Sequence, residues 1–181
     1  MASPNQPVAV LSRALDQAGD VLALVQLEEL GRPTPCGGWT VRELVDHLSA
    51  APEHFLQQMR GEEVDWSERA DVVDGGWATY FRTHADDLLE HWHDEPADQQ
   101  GQADWQSAEV GVHTWDLVQA LGLGQELDDE VAERGLAFMQ QAMTSENRGD
   151  AFAPEVEVPE GAGAYQRLVA FAGRTPLRSA P

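Results

Sequence analysis

Two residues that could bind a metal ion, Glu109 and His113, are four positions apart in the second half of the chain. They belong to a segment, residues 105–121, whose apolar residues recur at helical spacing. Residues four apart on an α-helix share one face, one turn apart, so both side chains can reach a single ion. The same spacing is also common in exposed helix pairs, and this pair by itself does not decide between the two roles.

His47 is the candidate for a third ligand. It lies between Leu44 and Leu48 in a segment whose apolar side must face the interior, where an unpaired imidazole is costly. A core histidine bonded to a carbonyl is the alternative, but three ligand types on two helices are typical of a metal site inside a helical bundle. We therefore predict one divalent ion at His47, Glu109 and His113. Two imidazoles and one carboxylate suit zinc, and nickel, iron and manganese are the alternatives.

Asp116 and two further histidines are candidates for supporting roles. Asp116 follows His113 by three residues, so it either orients that imidazole or is an ordinary carboxylate on the helix surface. His84 lies on an apolar helix face and is interpreted as structural, or as support for a ligand. His54 follows His47 by two helical turns, roughly 10 Å along the axis at about 1.5 Å per residue, and is too far away to share the ion.

The cysteine and the tryptophans are assigned to packing. Cys36, the single cysteine, cannot form an internal disulfide, and no histidine is close to it in sequence. We interpret it as a small packed residue of a turn rather than a nucleophile. Five of the six tryptophans fall at core spacing or at a helix start, and core filling is their predicted role. These are Trp39, Trp77, Trp92, Trp105 and Trp115.

Helical periodicity also predicts the elements that position these residues. The predicted helices cover residues 11–25, about 41 to the polar stretch at 61–76, 77–92, 105–121, 128–143 and 165–172. Thr40 and Glu43 form a capping box for the second helix, and Pro52 should bend or interrupt it near Ala51. Residues 145–163 suit an extended arm. The prediction is an all-α chain of one domain, residues 1–181, built as an antiparallel four-helix bundle with a short extra helix and a C-terminal arm.

Composition excludes several classes of function. A net charge of −21, from 32 acidic and 11 basic residues, would repel nucleic acid and anionic membranes. Lysine is absent, which excludes Schiff-base catalysis and a P-loop. The chain also shows no membrane-spanning apolar run and no signal peptide, so a cytoplasmic location is expected. The lack of lysine and isoleucine is typical of a high-GC, actinobacterial genome.

Three segments carry a family resemblance. TPCGGWTVRELVDHL at 34–48, AEVGVHTWDLVQALG at 108–122 and AFAPEVEVPEGAGAYQRLVAFAGRTP at 151–176 resemble the DinB-like proteins related to mycothiol-dependent maleylpyruvate isomerase, and most closely their actinobacterial metal-binding group. The resemblance implies an antiparallel four-helix bundle with one divalent ion on His47, Glu109 and His113. Other branches have a histidine in place of Glu109. The isomerase itself has a further C-terminal domain, for which this chain has no room, so its substrate is not implied.

Two hypotheses for function follow. Three protein ligands leave one position of the ion open, as in catalytic rather than structural zinc sites. A low-molecular-weight thiol such as mycothiol could fill that position and react with a small electrophile, by thiol transfer or by isomerisation. The alternative is a non-catalytic metal-binding module that acts as a sensor or an interaction surface. The sequence names no dedicated acid or base, and it leaves a homodimer open.

Overall fold

The computed structural model of the chain describes residues 6–144, 146–148 and 152–175. The α-helices in these ranges are α1 (Gln6–Leu22), α2 (Val41–Met59), α3 (Trp77–Asp94), α4 (Ala103–Leu121), α5 (Asp129–Ala142) and α6 (Ala164–Phe171). Two short 3₁₀ helices, Leu27–Glu29 and Gln100–Gln102, precede α2 and α4. The predicted all-α fold class is confirmed.

The first four helices form a four-helix bundle. α1 packs against α3 and α4, and α2 packs against the same two helices. Each helix turns its apolar stripe to the centre, where the fully buried side chains include Leu11, Leu44, Phe55, Phe81 and Leu117. α5 packs on α4, and α6 packs on α5. This arrangement brings α2 and α4, which carry the predicted metal ligands, into direct contact.

The start of α2 is held by its capping box, as predicted. The Glu43 carboxylate accepts hydrogen bonds from the backbone N–H of Thr40 at 2.7 Å and from its hydroxyl at 2.8 Å. Pro52 lies inside α2, and the helix continues through it to Met59. The proline therefore removes one backbone hydrogen bond without ending the helix. The bend near Ala51 stays a prediction.

The limits of α1 are the main error in the predicted helices. α1 covers Gln6–Leu22 rather than residues 11–25. It starts early because Pro7, which lacks a backbone N–H, fits the first helical turn at no cost. It ends early because the chain tightens there, and the Leu24 N–H bonds to the Val21 carbonyl three residues back at 3.0 Å. The limits of α4, α5 and α6 lie within two residues of those predicted.

The extended arm is confirmed for residues 153–159, whereas residues 146–147 and 160–161 form turns. Residues 152–163 contain no helix, and the Val156 N–H donates to the Ala170 carbonyl of α6 at 2.9 Å. Residues 145 and 149–151 of the predicted arm lie outside the described residues. Among the helices that the structure describes, each is too short or too polar to cross a bilayer. The division into one domain stays a prediction.

Candidate metal centre

The three predicted ligands lie together between α2 and α4. The Oε1 atom of Glu109 is 3.1 Å from Nε2 of His47 and 3.1 Å from Nε2 of His113. One nitrogen or oxygen of each side chain lies within 4.8 Å of the other two. Ligand atoms around a tetrahedral zinc ion are roughly 3.3 Å apart, given bonds of about 2.0–2.1 Å. The donor types and their spacing therefore fit one divalent ion, and the binding itself stays a prediction.

The charges of the site suit a cation. Burial by itself lowers the pKa of His113, but the negative charges of Glu109 and Asp116 outweigh it and raise that pKa to about 9. Burial would raise the pKa of Glu109, and the two imidazoles at its carboxylate instead hold the pKa well below its ordinary range. In the metal-free protein, a proton on His113 therefore balances the carboxylate. A divalent ion would displace that proton.

Asp116 lies behind His113, on the side away from Glu109. Its side chain is 0% exposed, so the alternative of a surface carboxylate is wrong. Its Oδ2 atom is 3.3 Å from Nδ1 of His113, which is within ion-pair range. The Nδ1 atom nevertheless has no partner with good hydrogen-bond geometry, so the attraction is electrostatic. Asp116 therefore lies where it can orient the His113 imidazole, which was the other of its two predicted roles.

Arg174 completes this buried cluster from the C-terminal end of the chain. The guanidinium is 4% exposed, and its Nε donates to Asp116 Oδ2 at 3.1 Å. Its Nη2 donates to the Cys36 sulfur at 3.5 Å. Sequence reasoning missed Arg174. The available signal was an arginine three residues after the end of the final helix.

Arg174 also argues against a second metal site. Cys36, His113 and Asp116 bring one ligand atom each within 4.8 Å of the others. The guanidinium already supplies a positive charge to two of these groups, and a metal ion beside it would be repelled. Burial raises the pKa of the Cys36 thiol to about 11, so the thiol is protonated at neutral pH. Cys36 is thus a packed residue, as predicted.

A cavity of about 530 Å³ opens beside the three ligands. Trp39 forms one wall, with its ring stacked at 5.8 Å from the His113 ring and tilted at 5.0 Å from the His47 ring. Trp39 is half-buried, so its side chain fills the core only in part, although core filling was its predicted role. Trp66, Phe152 and Arg174 form other parts of the wall. The site therefore has both a candidate ion position and room for a small molecule.

Two further histidines, His54 and His84, are not part of this site. His84 contacts the Tyr80 carbonyl through Nδ1 at 3.0 Å, which supports its structural interpretation. His54 is buried, and its ring packs edge-on at 5.4 Å from the Trp66 ring. The ligand group around Glu109 includes neither of them in the part of the chain that the structure describes.

The fold and the site define a helical bundle with three candidate metal ligands at its centre, and comparison with known proteins identifies the family. Residues 11–123, more than half of the chain, match the family described as the mycothiol maleylpyruvate isomerase N-terminal domain. The chain belongs to this family, which is metal-binding and has the DinB-like fold.

The curated relatives are uncharacterised proteins of Mycobacterium tuberculosis. One from strain H37Rv and one from strain CDC 1551 / Oshkosh are each 26% identical over 190 residues, covering 93% of this chain and 98% of the relative. No solved structure matches the chain significantly. The family match ends at residue 123, so α5, α6, the arm and Arg174 lie outside it.

Proposed function

We propose that the protein is a metal-dependent enzyme of thiol chemistry. His47, Glu109 and His113 hold one divalent ion, zinc, whose open position takes a low-molecular-weight thiol such as mycothiol as its thiolate. The thiolate would form a carbon–sulfur bond to a small electrophile in the adjacent cavity. In thiol transfer, a proton taken up by the adduct or the departure of a leaving group would balance that bond, and in an isomerisation the carbon–sulfur bond would break again to release the thiol. Coordination lowers the pKa of a thiol from about 8.5, so that it is ionised at neutral pH.

The observation that carries this proposal is the cavity beside an incomplete ligand set. Within the described residues, the ligand group around Glu109 has three members. Structural zinc sites are closed by four protein ligands, whereas catalytic sites keep one position for water or substrate. The cavity of about 530 Å³ lies in the usual range of roughly 300–1,000 Å³ for small-molecule sites. A purely structural or sensory ion has no need of such a space.

The surrounding side chains have separate roles in this proposal. Glu109 and His47 bind the ion from two adjacent helices, and Asp116 with Arg174 keeps the His113 ring in one orientation. The indole of Trp39 covers the two imidazoles and excludes water from one side of the centre. Exclusion of water strengthens the attraction between the ion and a thiolate.

Cobalt substitution tests the proposal. Adding mycothiol to the cobalt-loaded protein should produce a sulfur-to-metal charge-transfer absorption that saturates at one thiol per metal. A Cys36→Ser control excludes the native thiol as the source, and Glu109→Ala protein that holds no cobalt should show no absorption. If saturating thiol leaves the spectrum unchanged while other small anions alter it, the site is open but does not bind thiols, and the proposal is wrong.

A further inference from the structure

A second, smaller cavity adjoins the metal centre. It has a volume of about 150 Å³, and it shares two wall residues, Glu109 and Phe152, with the larger cavity. Its other walls are apolar or aromatic side chains: Trp105, Ala108, Phe138, Met139 and Met143. A molecule bound at the ion therefore has an apolar space next to it.

The walls of this space favour an apolar occupant over water. A buried water needs about 2–4 polar partners. Glu109 is the charged residue in the described lining, and its Oε1 atom contacts both imidazoles at 3.1 Å. Its other oxygen, Oε2, offers a water one partner, which is fewer than a buried water needs. Enclosed apolar cavities of about 150 Å³ stay dry and bind molecules of the size of benzene, and this half-open space has a similar volume and wall chemistry. One aromatic ring or a branched alkyl group of similar volume would fill the space.

Charge narrows the class of occupant further. The described lining of the small cavity contains no arginine or histidine, and the Glu109 carboxylate at its edge is shared with the two imidazoles. A carboxylate or phosphate there would lose its hydration and gain no partner. The occupant should therefore be uncharged.

Most of these walls lie outside the matched family segment. Phe138 and Met139 come from the end of α5, Met143 directly follows that helix, and Phe152 comes from the arm. Methionine side chains adapt to irregular apolar shapes, so this wall can fit several related groups. The bundle would thus supply the ion, and the C-terminal region would supply selectivity.

We propose that the small cavity binds an uncharged apolar group, about the size of one aromatic ring, of the substrate held at the metal centre. That the bound molecule is a substrate rests on the proposed function, whereas the affinity of the cavity for an apolar group does not. The two can therefore be tested separately.

The first test uses toluene as the probe and zinc-loaded protein. Saturable binding at one site should be seen by ligand-observed NMR, and benzoate at the same concentration should not compete. Met143→Trp, which fills the cavity, should weaken toluene binding by about tenfold or more, because the excluded ring keeps its apolar surface in water. Ala137→Trp adds the same side chain at an exposed position of α5 and should leave toluene binding unchanged.

Met139→Phe is a second filling variant, for the case that Met143→Trp does not fold, and circular dichroism checks both. The absence of saturable toluene binding in the native chain would overturn the proposal. So would equal toluene affinity in a folded filling variant, because the ring would then bind elsewhere.

The second test asks whether a thiol bound to the metal also places its apolar group in the small cavity. Benzyl mercaptan, 2-phenylethanethiol and 3-phenylpropanethiol are titrated into cobalt-loaded protein beside ethanethiol. At least one phenyl thiol should bind about tenfold more tightly than ethanethiol, and Met143→Trp should remove that preference while the ethanethiol affinity stays the same. If the thiols bind with no phenyl preference, the cavity is not part of the substrate site. If no thiol binds cobalt but toluene still binds, the thiol function fails and the apolar cavity stands.

Discussion

The bundle and the C-terminal region contribute to the candidate site in different ways. The bundle, which contains the matched family segment, places His47, Glu109 and His113 around one point. The C-terminal region contributes none of the three ligands. It supplies Arg174 behind His113 and much of the apolar wall beside Glu109. We infer two separate contributions: the bundle would supply the ligands of an ion, and the C-terminal region, from α5 to Arg174, would hold the His113 ring and shape the space beside Glu109.

The largest expected effect comes from removing a candidate metal ligand that the bundle supplies. His47→Ala removes one of three ligands, and we expect metal affinity to fall by more than about 100-fold, beyond the effect of losing a supporting partner. The helical domain should stay folded, since its core is formed by apolar side chains of all four bundle helices. Metal titration and circular dichroism are measured together, with His84→Ala as the control.

If metal-free His47→Ala protein is unfolded, the ion is structural rather than catalytic. Equal metal affinity in His47→Ala and native protein would remove His47 from the site altogether.

The next effect comes from a substitution that removes a buried contact supplied by the C-terminal region. Arg174→Met leaves the buried Asp116 carboxylate without its guanidinium, and the free energy of unfolding should drop by about 3–5 kcal/mol. Arg82→Met is the matched control, because the Arg82–Asp20 pair is exposed and should contribute less than about 1 kcal/mol. Denaturant unfolding of metal-free protein measures both variants.

The double variant Asp116→Asn with Arg174→Met should recover part of that loss, because no unpaired charge is left buried. Equal losses for Arg174→Met and Arg82→Met would contradict a special role for the buried pair.

The pH dependence of metal binding tests whether a proton and the ion compete for His113. Its pKa is raised to about 9, so the proton competes with the ion below that pH. Zinc affinity should therefore rise about tenfold per pH unit from pH 7 to 9, or about 2.7 kcal/mol in total, and then level off. Competition with a chelator at each pH measures this rise. An affinity that is flat over this range would mean that His113 carries no proton in the metal-free protein.

The raised pKa of His113 also predicts how the free energy of unfolding of the metal-free protein depends on pH. The folded pKa of about 9 lies above the ordinary value of 6.5, so the contribution is complete below about pH 6.5 and is lost as the pH rises through about 9. Unfolding curves of native and His113→Gln protein should therefore converge at high pH.

The last effect, similar in size to the pH effect, concerns how the C-terminal region is anchored. Gly173 has a φ of +77°, and a Cβ there would lie 2.3 Å from the Ala153 carbonyl oxygen. Gly173→Ala should destabilise the fold by about 2–4 kcal/mol, through both backbone strain and this clash. Gly161→Ala is the control, because Gly161 has a φ of +81° with nothing within 4 Å and should cost only the strain, about 1 kcal/mol. Equal costs would mean that the contact with Ala153 is not tight.

The sequence by itself determined the features that depend on local interactions. Helical spacing of apolar residues predicted the six helices, and the capping box predicted the start of α2. The four-residue spacing of Glu109 and His113 placed both side chains on one face because helical geometry is local and regular. The motifs around His47 and Glu109 also indicated the family, which the family match confirmed.

Only the tertiary structure decided what surrounds the ion position. The contact of Arg174 with Asp116 joins residues 58 positions apart, and its contact with Cys36 joins residues 138 positions apart. No short-range pattern encodes such contacts, because they form when α6 and its flanking segments pack beside α4. The same packing makes Trp39 a wall of the site and encloses the apolar cavity. The periodicity of a helix reports which side is buried, whereas the partner against which it is buried depends on how the whole chain packs.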